Sequence, residues 1–304
     1  MINGHRVHSL CLVLAFSILL GWPHATTAQT PQHLQGFDIS PLRQGEFLLF
    51  SKKPDEALRV FRDLWEREPG NSYAVRGIVR AYQALGKLPE AVSQLNRHLE
   101  EPPRSSAAAY GLGYVYYLQK KFEESNKVLN EALRFDPKNA LALNNLGAVL
   151  AELQRYEEAV QRVKEAVGLA PDELMFYRNL QMIYLRSGNP GQFEKEYRQY
   201  LAEGSLIKAK RYGRVLAQGL RQKSFKLYVE GKLDETISTI IDMLALYREI
   251  KHKPGIVASL FSLAVLYEEQ GDTVRALEKY REVIKINPQH IQAREKMHSL
   301  KPGK

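Results

Sequence analysis

Four prolines recur at one fixed interval: Pro69, Pro103, Pro137 and Pro171, each 34 residues after the last. A period of about 20–50 residues marks an array of stacked units. A unit of this length cannot bury its apolar face alone. Stacking gives the units a continuous core and leaves a long concave face that can hold other molecules. The interval therefore constrains how the chain binds far more than what it binds.

The other residues keep the same phase. Leu112, Gly113 and Tyr116 recur one period later as Leu146, Gly147 and Leu150. Leu129, Ala132 and Pro137 are followed by Val163, Ala166 and Pro171, and preceded by Ile78, Tyr82, Ala91, Leu95 and Pro103. Small residues at Gly113, Gly147, Ala132 and Ala166 let helix backbones approach, and the large residues fill the gaps. With the pattern L-G-x-x-Y, then A-x-x-x-F and a closing Pro, the chain resembles the tetratricopeptide repeat family over residues 38–290. The resemblance implies an all-α, right-handed superhelical solenoid of about seven helix-turn-helix units: 38–71, 72–105, 106–139, 140–173, 174–207, 217–250 and 257–290. A polar, basic stretch at 291–304 is expected to form a capping helix and tail.

Turn residues support this division. Gly86, Gly188, Gly231 and Gly271 stand just after first helices, where a left-handed C-cap suits glycine. Pro54, Pro89 and Pro190 stand at the start of second helices, where the missing N–H is not needed. Asp234 and Asp272 suit N-cap or first-turn positions. Unit five departs most, with Phe193 where a small residue belongs and Ser205 in place of Pro; unit six has Thr236 in the small position. The glycine spacing stretches to 43 residues between Gly188 and Gly231 and to 40 between Gly231 and Gly271. Residues 38–205 thus read as units one to five, 206–216 as a basic inter-repeat insertion, and 217–290 as units six and seven.

The N-terminus reads as a targeting segment. Arg6 precedes an apolar run over residues 10–22, followed by a short stretch rich in small residues. That is the order of a secretory signal peptide, and the run falls short of the ~20 residues needed to span a bilayer. Cleavage after Ala28 is expected, with 29–37 as a linker. Cys11, the sole cysteine, lies inside the run, so the mature chain has none. An exported eukaryotic domain would more often carry disulfides, and no N-x-S/T acceptor is present. The expected location is the bacterial cell envelope, in the periplasm.

Nothing in the sequence points to catalysis or to a cofactor. His33, His98, His252, His290 and His298 have no metal-ligand spacing to one another. No phosphate loop, dinucleotide fingerprint or nucleophile elbow occurs. Gly111 and Gly113 lie within a helical pattern and serve packing. His98, where the repeat wants a small residue, reads as a tolerated substitution.

The first helices carry a second stripe, set off from the core positions. It holds Tyr73, Arg76 and Arg80; then Ala107, Tyr110, Tyr114 and Tyr117; then Leu141, Asn144 and Asn145; then Met175, Arg178, Met182 and Leu185. Steps of three and four keep each set on one helix face. In the family that stripe lines the concave groove, so the resemblance implies a partner groove with aromatic, amide and cationic character. Tyr and Arg often dominate binding energy. The alternative place for the tyrosines is the interhelix core. Family members that hold chaperone tails clamp a carboxylate with Lys and Asn; arginines and tyrosines stand here instead, and that specificity does not carry over.

The net charge of +9 falls to +8 without Arg6. Residues 205–226 account for +7 of it through Lys208, Lys210, Arg211, Arg214, Arg221, Lys223 and Lys226, with no acid. Basic chains often bind nucleic acid, but export argues against it. The reading is a non-catalytic scaffold that holds a protein or peptide partner, acidic in character. The alternatives are a binder of anionic envelope polymer or lipid through the basic stretch, an accessory subunit of an envelope enzyme or secretion complex, and a solvated helix face with no partner.

Overall fold

The computed structural model describes residues 40–100 and 105–300. The expected signal peptide and linker, the first residues of unit one, Pro103 and residues 301–304 lie outside the described residues. Fifteen α-helices and no strand occur among the described residues. They divide into two compact units, one over Pro31–Lys195 and one over Glu196–Lys304.

The N-terminal unit is a run of helical hairpins: α1 (Pro41–Phe50) with α2 (Pro54–Arg67), α3 (Ser72–Ala84) with α4 (Leu88–Glu100), α5 (Ser106–Leu118) with α6 (Phe122–Phe135), and α7 (Ala140–Glu152) with α8 (Tyr156–Leu169). α9 (Leu174–Arg186) follows, and the unit ends within α10 (Gln192–Ala202). First helices of successive hairpins pack directly on one another, α1 on α3, α3 on α5, α5 on α7 and α7 on α9. Phe61, Trp65, Ile78, Leu95 and Leu112 fill the core of the first repeats.

Small residues make this stacking possible. A Cβ on Gly113 would stand 2.6 Å from Leu129, and one on Gly147 would stand 2.4 Å from Val163. Asn71, Ser105 and Asn139 cap α3, α5 and α7 with their side chains, and Pro69, Pro137 and Pro171 follow the ends of α2, α6 and α8. After each first helix the chain takes a left-handed residue at one fixed position: Lys52, Gly86, Lys120, Gln154 and Gly188, with φ of 57°, 70°, 60°, 62° and 77°. Only two of these five are glycine. Pro190 lies in the turn before α10 rather than in the helix, because α10 starts at Gln192.

The C-terminal unit holds α11 (Leu206–Val229), α12 (Leu233–Glu249), α13 (Lys253–Glu269), α14 (Thr273–Ile286) and α15 (Ile291–Ser299). α11 pairs with α12 and α13 with α14; α13 packs on α12, and α15 covers α14. Residues 206–216, the basic stretch between units five and six, are helical. They form the first half of a single 24-residue helix. Gly213 does not interrupt it: a Cβ there would stand 2.7 Å from Ile250 and 3.2 Å from Tyr197, so its hydrogen is needed for packing. Gly219 faces open space. Buried Tyr212 donates to the buried Glu196 carboxylate at 2.7 Å, and Thr236 is buried with its hydroxyl donating to the Lys232 carbonyl at 2.8 Å.

Candidate functional site

The stripe on the first helices of the N-terminal unit is brought together, but much of it is occupied by its own neighbours. Arg80 Nη1 donates to Glu46 Oε1 at 2.6 Å, and Arg76 Nη2 lies 3.6 Å from the same carboxylate. Glu46 comes from α1, 34 residues before Arg80. The Arg76 guanidinium also lies 5.2 Å from the Tyr73 ring. Burial, and then the Glu173 carboxylate, push the Tyr73 hydroxyl up to about 12, with Arg76 opposing.

Tyr110 lies in the interior, stacked on Tyr114 at 6.3 Å and 13° between planes. Burial raises its pKa far above the usual phenol range, and Arg76 opposes that rise. Tyr114 and Tyr117 remain half-buried, and burial raises both hydroxyls as well. Arg80 and Arg76 offset part of the rise at Tyr114, whereas the Glu152 carboxylate adds to it at Tyr117. Glu152 in turn holds Arg186 at 2.5 Å, again one repeat apart.

Asn144 is wholly buried. Asn179 Nδ2 donates to Asn144 Oδ1 at 2.9 Å, and Asn144 Nδ2 donates to Asn145 Oδ1 at 3.3 Å. Asn145 is only 9% exposed, and its Nδ2 has no protein acceptor. On α9, Arg178 is exposed, and Met182 and Leu185 keep 47% and 55% of their surface. The stripe thus separates into a closed part, Arg76, Arg80, Tyr110 and Asn144, and a more open part, Tyr114, Tyr117, Arg178, Met182 and Leu185. Tyr110 and Asn144 are corrected from contact residues to supports: a side chain without surface offers a partner nothing to touch.

Sequence reasoning did not single out Glu46, Glu152, Arg186 or Asn179. The signal was there, since Glu46–Arg80 and Glu152–Arg186 are each separated by the repeat length. It also missed Asn139. While Asn139 Oδ1 caps α7 through Ala142 N at 3.1 Å, its Nδ2 reaches Ser72 Oγ at 2.8 Å and Ser106 Oγ at 3.0 Å. One amide so fastens the starts of α3, α5 and α7.

The seven cations of the basic stretch do not form one patch. Lys208 lies over the Tyr200 ring at 4.9 Å. Arg211, Arg214 and Arg221 are half-buried, and burial, followed by Arg214, disfavours protonation of His252. Lys210, Lys223 and Lys226 are exposed, with Lys226 3.8 Å from Glu230. A helix places its residues every 100°, so a dense basic sequence spreads around the axis. Among the described residues no cluster of His, Cys, Asp or Glu could hold a metal. None of the described helices is long and apolar enough to cross a membrane.

A TPR repeat model matches residues 113–154, and tetratricopeptide repeat models match residues 48–113, 139–170 and 257–290. Together they cover more than half of the chain, which belongs to the tetratricopeptide repeat family. No curated protein matches the sequence. Among solved structures, the Cut9–Hcn1 hetero-tetramer of APC/C is 15% identical over 97% of this chain and 60% of that chain, with a TM-score of 0.46. MamA from Desulfovibrio magneticus RS-1 is 21% identical over 52% of this chain and 90% of that one, with a TM-score of 0.37. YrrB, a TPR protein with an unusual peptide-binding site, is 20% identical over 77% and 96%, with a TM-score of 0.33.

Proposed function

We propose that this protein is a non-catalytic scaffold that holds a segment of a protein partner along the first helices of its N-terminal unit. The observation that carries this reading is the open part of the stripe: Met182 and Leu185 keep 47% and 55% of their surface on α9, and Tyr114 and Tyr117 are half-buried on α5. Met182 and Leu185 stand three residues apart on α9, so a bound segment would find two apolar anchors on one helix face. The half-buried Tyr114 and Tyr117 add aromatic contact. The apolar run over residues 10–22 supports export to the bacterial envelope, with the mature chain starting near Gln29.

A photo-crosslinker at Leu185, compared with one at Asn130 on α6, tests the groove reading. The partner should be recovered from Leu185 and lost when Tyr114→Ala or Met182→Arg is added, with affinity falling by ~2 kcal/mol or more at an anchor position. Equal recovery from both positions, or recovery that Tyr114→Ala and Met182→Arg leave unchanged, overturns it.

A further inference from the structure

α11 combines two features that no other described helix shares. Its residues 205–229 hold seven cations and no acid, and its first turn exposes two aliphatic side chains, Leu206 at 49% and Ile207 at 64%. Burial of the following residues, Ala209, Tyr212 and Gly213, fixes the helix to its own unit, so the two aliphatics stand at an anchored end. The nearest acid before them, Glu203, accepts from Gln199 Nε2 at 2.8 Å.

Cations follow the aliphatics at close range. Lys208 is half-buried over the Tyr200 ring, and exposed Lys210 lies three residues after Ile207 and four after Leu206. Residues three and four apart share a helix face, and helical Cα–Cβ bonds tilt toward the N-terminus. The Lys210 stem therefore leans toward the two aliphatics, about one 5.4 Å turn behind them. Helices at a bilayer surface bury apolar side chains ~5–10 Å into the boundary between headgroups and acyl chains, with cations among the anionic headgroups.

We propose that the start of α11 is a contact tip for an anionic lipid surface, with Leu206 and Ile207 entering the interface and Lys208 and Lys210 meeting lipid phosphates. An acidic glycan offers no apolar layer for the aliphatic pair, so charge and apolarity together favour a bilayer. Two aliphatics and two lysines make a reversible contact, weakened by salt. This surface is independent of the proposed groove, and either can fail without the other.

The test is flotation of the chain from Gln29, which keeps every described helix, with phosphatidylglycerol–phosphatidylcholine vesicles and with pure phosphatidylcholine vesicles. Binding should require phosphatidylglycerol, weaken with salt, and fall ~10-fold in both Leu206→Ser/Ile207→Ser and Lys208→Glu/Lys210→Glu. Far-UV circular dichroism of each variant should match the parent. That chain has no cysteine, so Ile207→Cys carries a single environment-sensitive dye, whose emission should shift to the blue on anionic vesicles. Absence of flotation, variants that float like the parent, an unshifted dye, or binding to soluble polyglutamate without binding to vesicles overturns the proposal.

Discussion

The N-terminal and C-terminal units use the same helical hairpin, yet they stack it differently. Where the period stays at 34 residues, first helices pack directly on first helices, and residues one period apart meet, as in Glu46–Arg80 and Glu152–Arg186. Where the spacing stretches, α11, α12 and α13 lengthen to 24, 17 and 17 residues, and α13 packs on α12, a contact that the second helices of the N-terminal unit also make with the first helices that follow them. There a pair 34 residues apart, Arg248–Glu282 at 2.9 Å, joins α12 to α14, the second helices of their hairpins. A fixed period thus does more than repeat a fold. It places equivalent side chains of neighbouring first helices within reach in the N-terminal unit.

The comparison breaks most severely at Asn139. Asn139→Ala removes a cap and two hydrogen bonds to other helices, and should cost the N-terminal unit about 3 kcal/mol. Urea unfolding should show it; a loss of a few tenths would mean that the link across α3, α5 and α7 carries no load.

Next come the two glycines of α11, which should act with opposite signs. Gly213→Ala forces a Cβ against Ile250 and Tyr197 and should destabilise by about 1–3 kcal/mol. Gly219→Ala meets nothing and should stabilise by up to about 1 kcal/mol. Thermal unfolding of the pair distinguishes packing from propensity, since equal signs would contradict the contacts of Gly213.

A pH effect should follow the C-terminal unit. His252 Nδ1 accepts from Gly255 N at 3.0 Å, and His290 Nδ1 accepts from Ala293 N at 3.3 Å, so both caps need a neutral imidazole. Burial lowers both pKa values, and Arg214 adds to the effect at His252. Between the folded and unfolded pKa values the unfolded chain binds more protons. Stability is therefore full above the ordinary histidine value near 6.5 and is lost as pH falls toward the depressed folded values. The loss is about 1 kcal/mol per cap. Protection factors of the amides in α13 and α15, taken relative to intrinsic exchange at each pH, should fall on acidification, and His252→Asn with His290→Asn should remove that fall while keeping the caps.

The smallest effect is Lys120→Gly. Relief of left-handed strain, about 1–2 kcal/mol, is partly offset by the entropy that glycine adds to the unfolded chain, leaving about 0.5–1 kcal/mol of stabilisation. Gly86→Ala, at the equivalent position one period earlier, should destabilise. Denaturation midpoints for the two variants check whether one backbone conformation serves every turn.

The closing prolines, the glycine turns and the small residues at Gly113 and Gly147 made the hairpins legible, because each follows from local geometry. Three things were not. Lys52, Lys120 and Gln154 take left-handed turns that a search for glycine passes over; the repeat position, not the residue, sets their backbone. Gly213 reads as a helix weakness in one dimension, and only its neighbours make it a contact. Tyr110 and Tyr114 share one stripe in sequence, yet Tyr110 is buried and Tyr114 only half-buried, because burial depends on the neighbours that other helices bring, which a period does not encode.

Asn139 also bears on how the array comes apart. A solenoid in which each repeat touches only its neighbours can fray from an end, one repeat at a time. The bond from Asn139 to Ser72 reaches past the intervening repeat. Opening either outer member of that trio breaks a bond to the other, so the three repeats should melt as a single cooperative block, with the ends of the array left to fray around it.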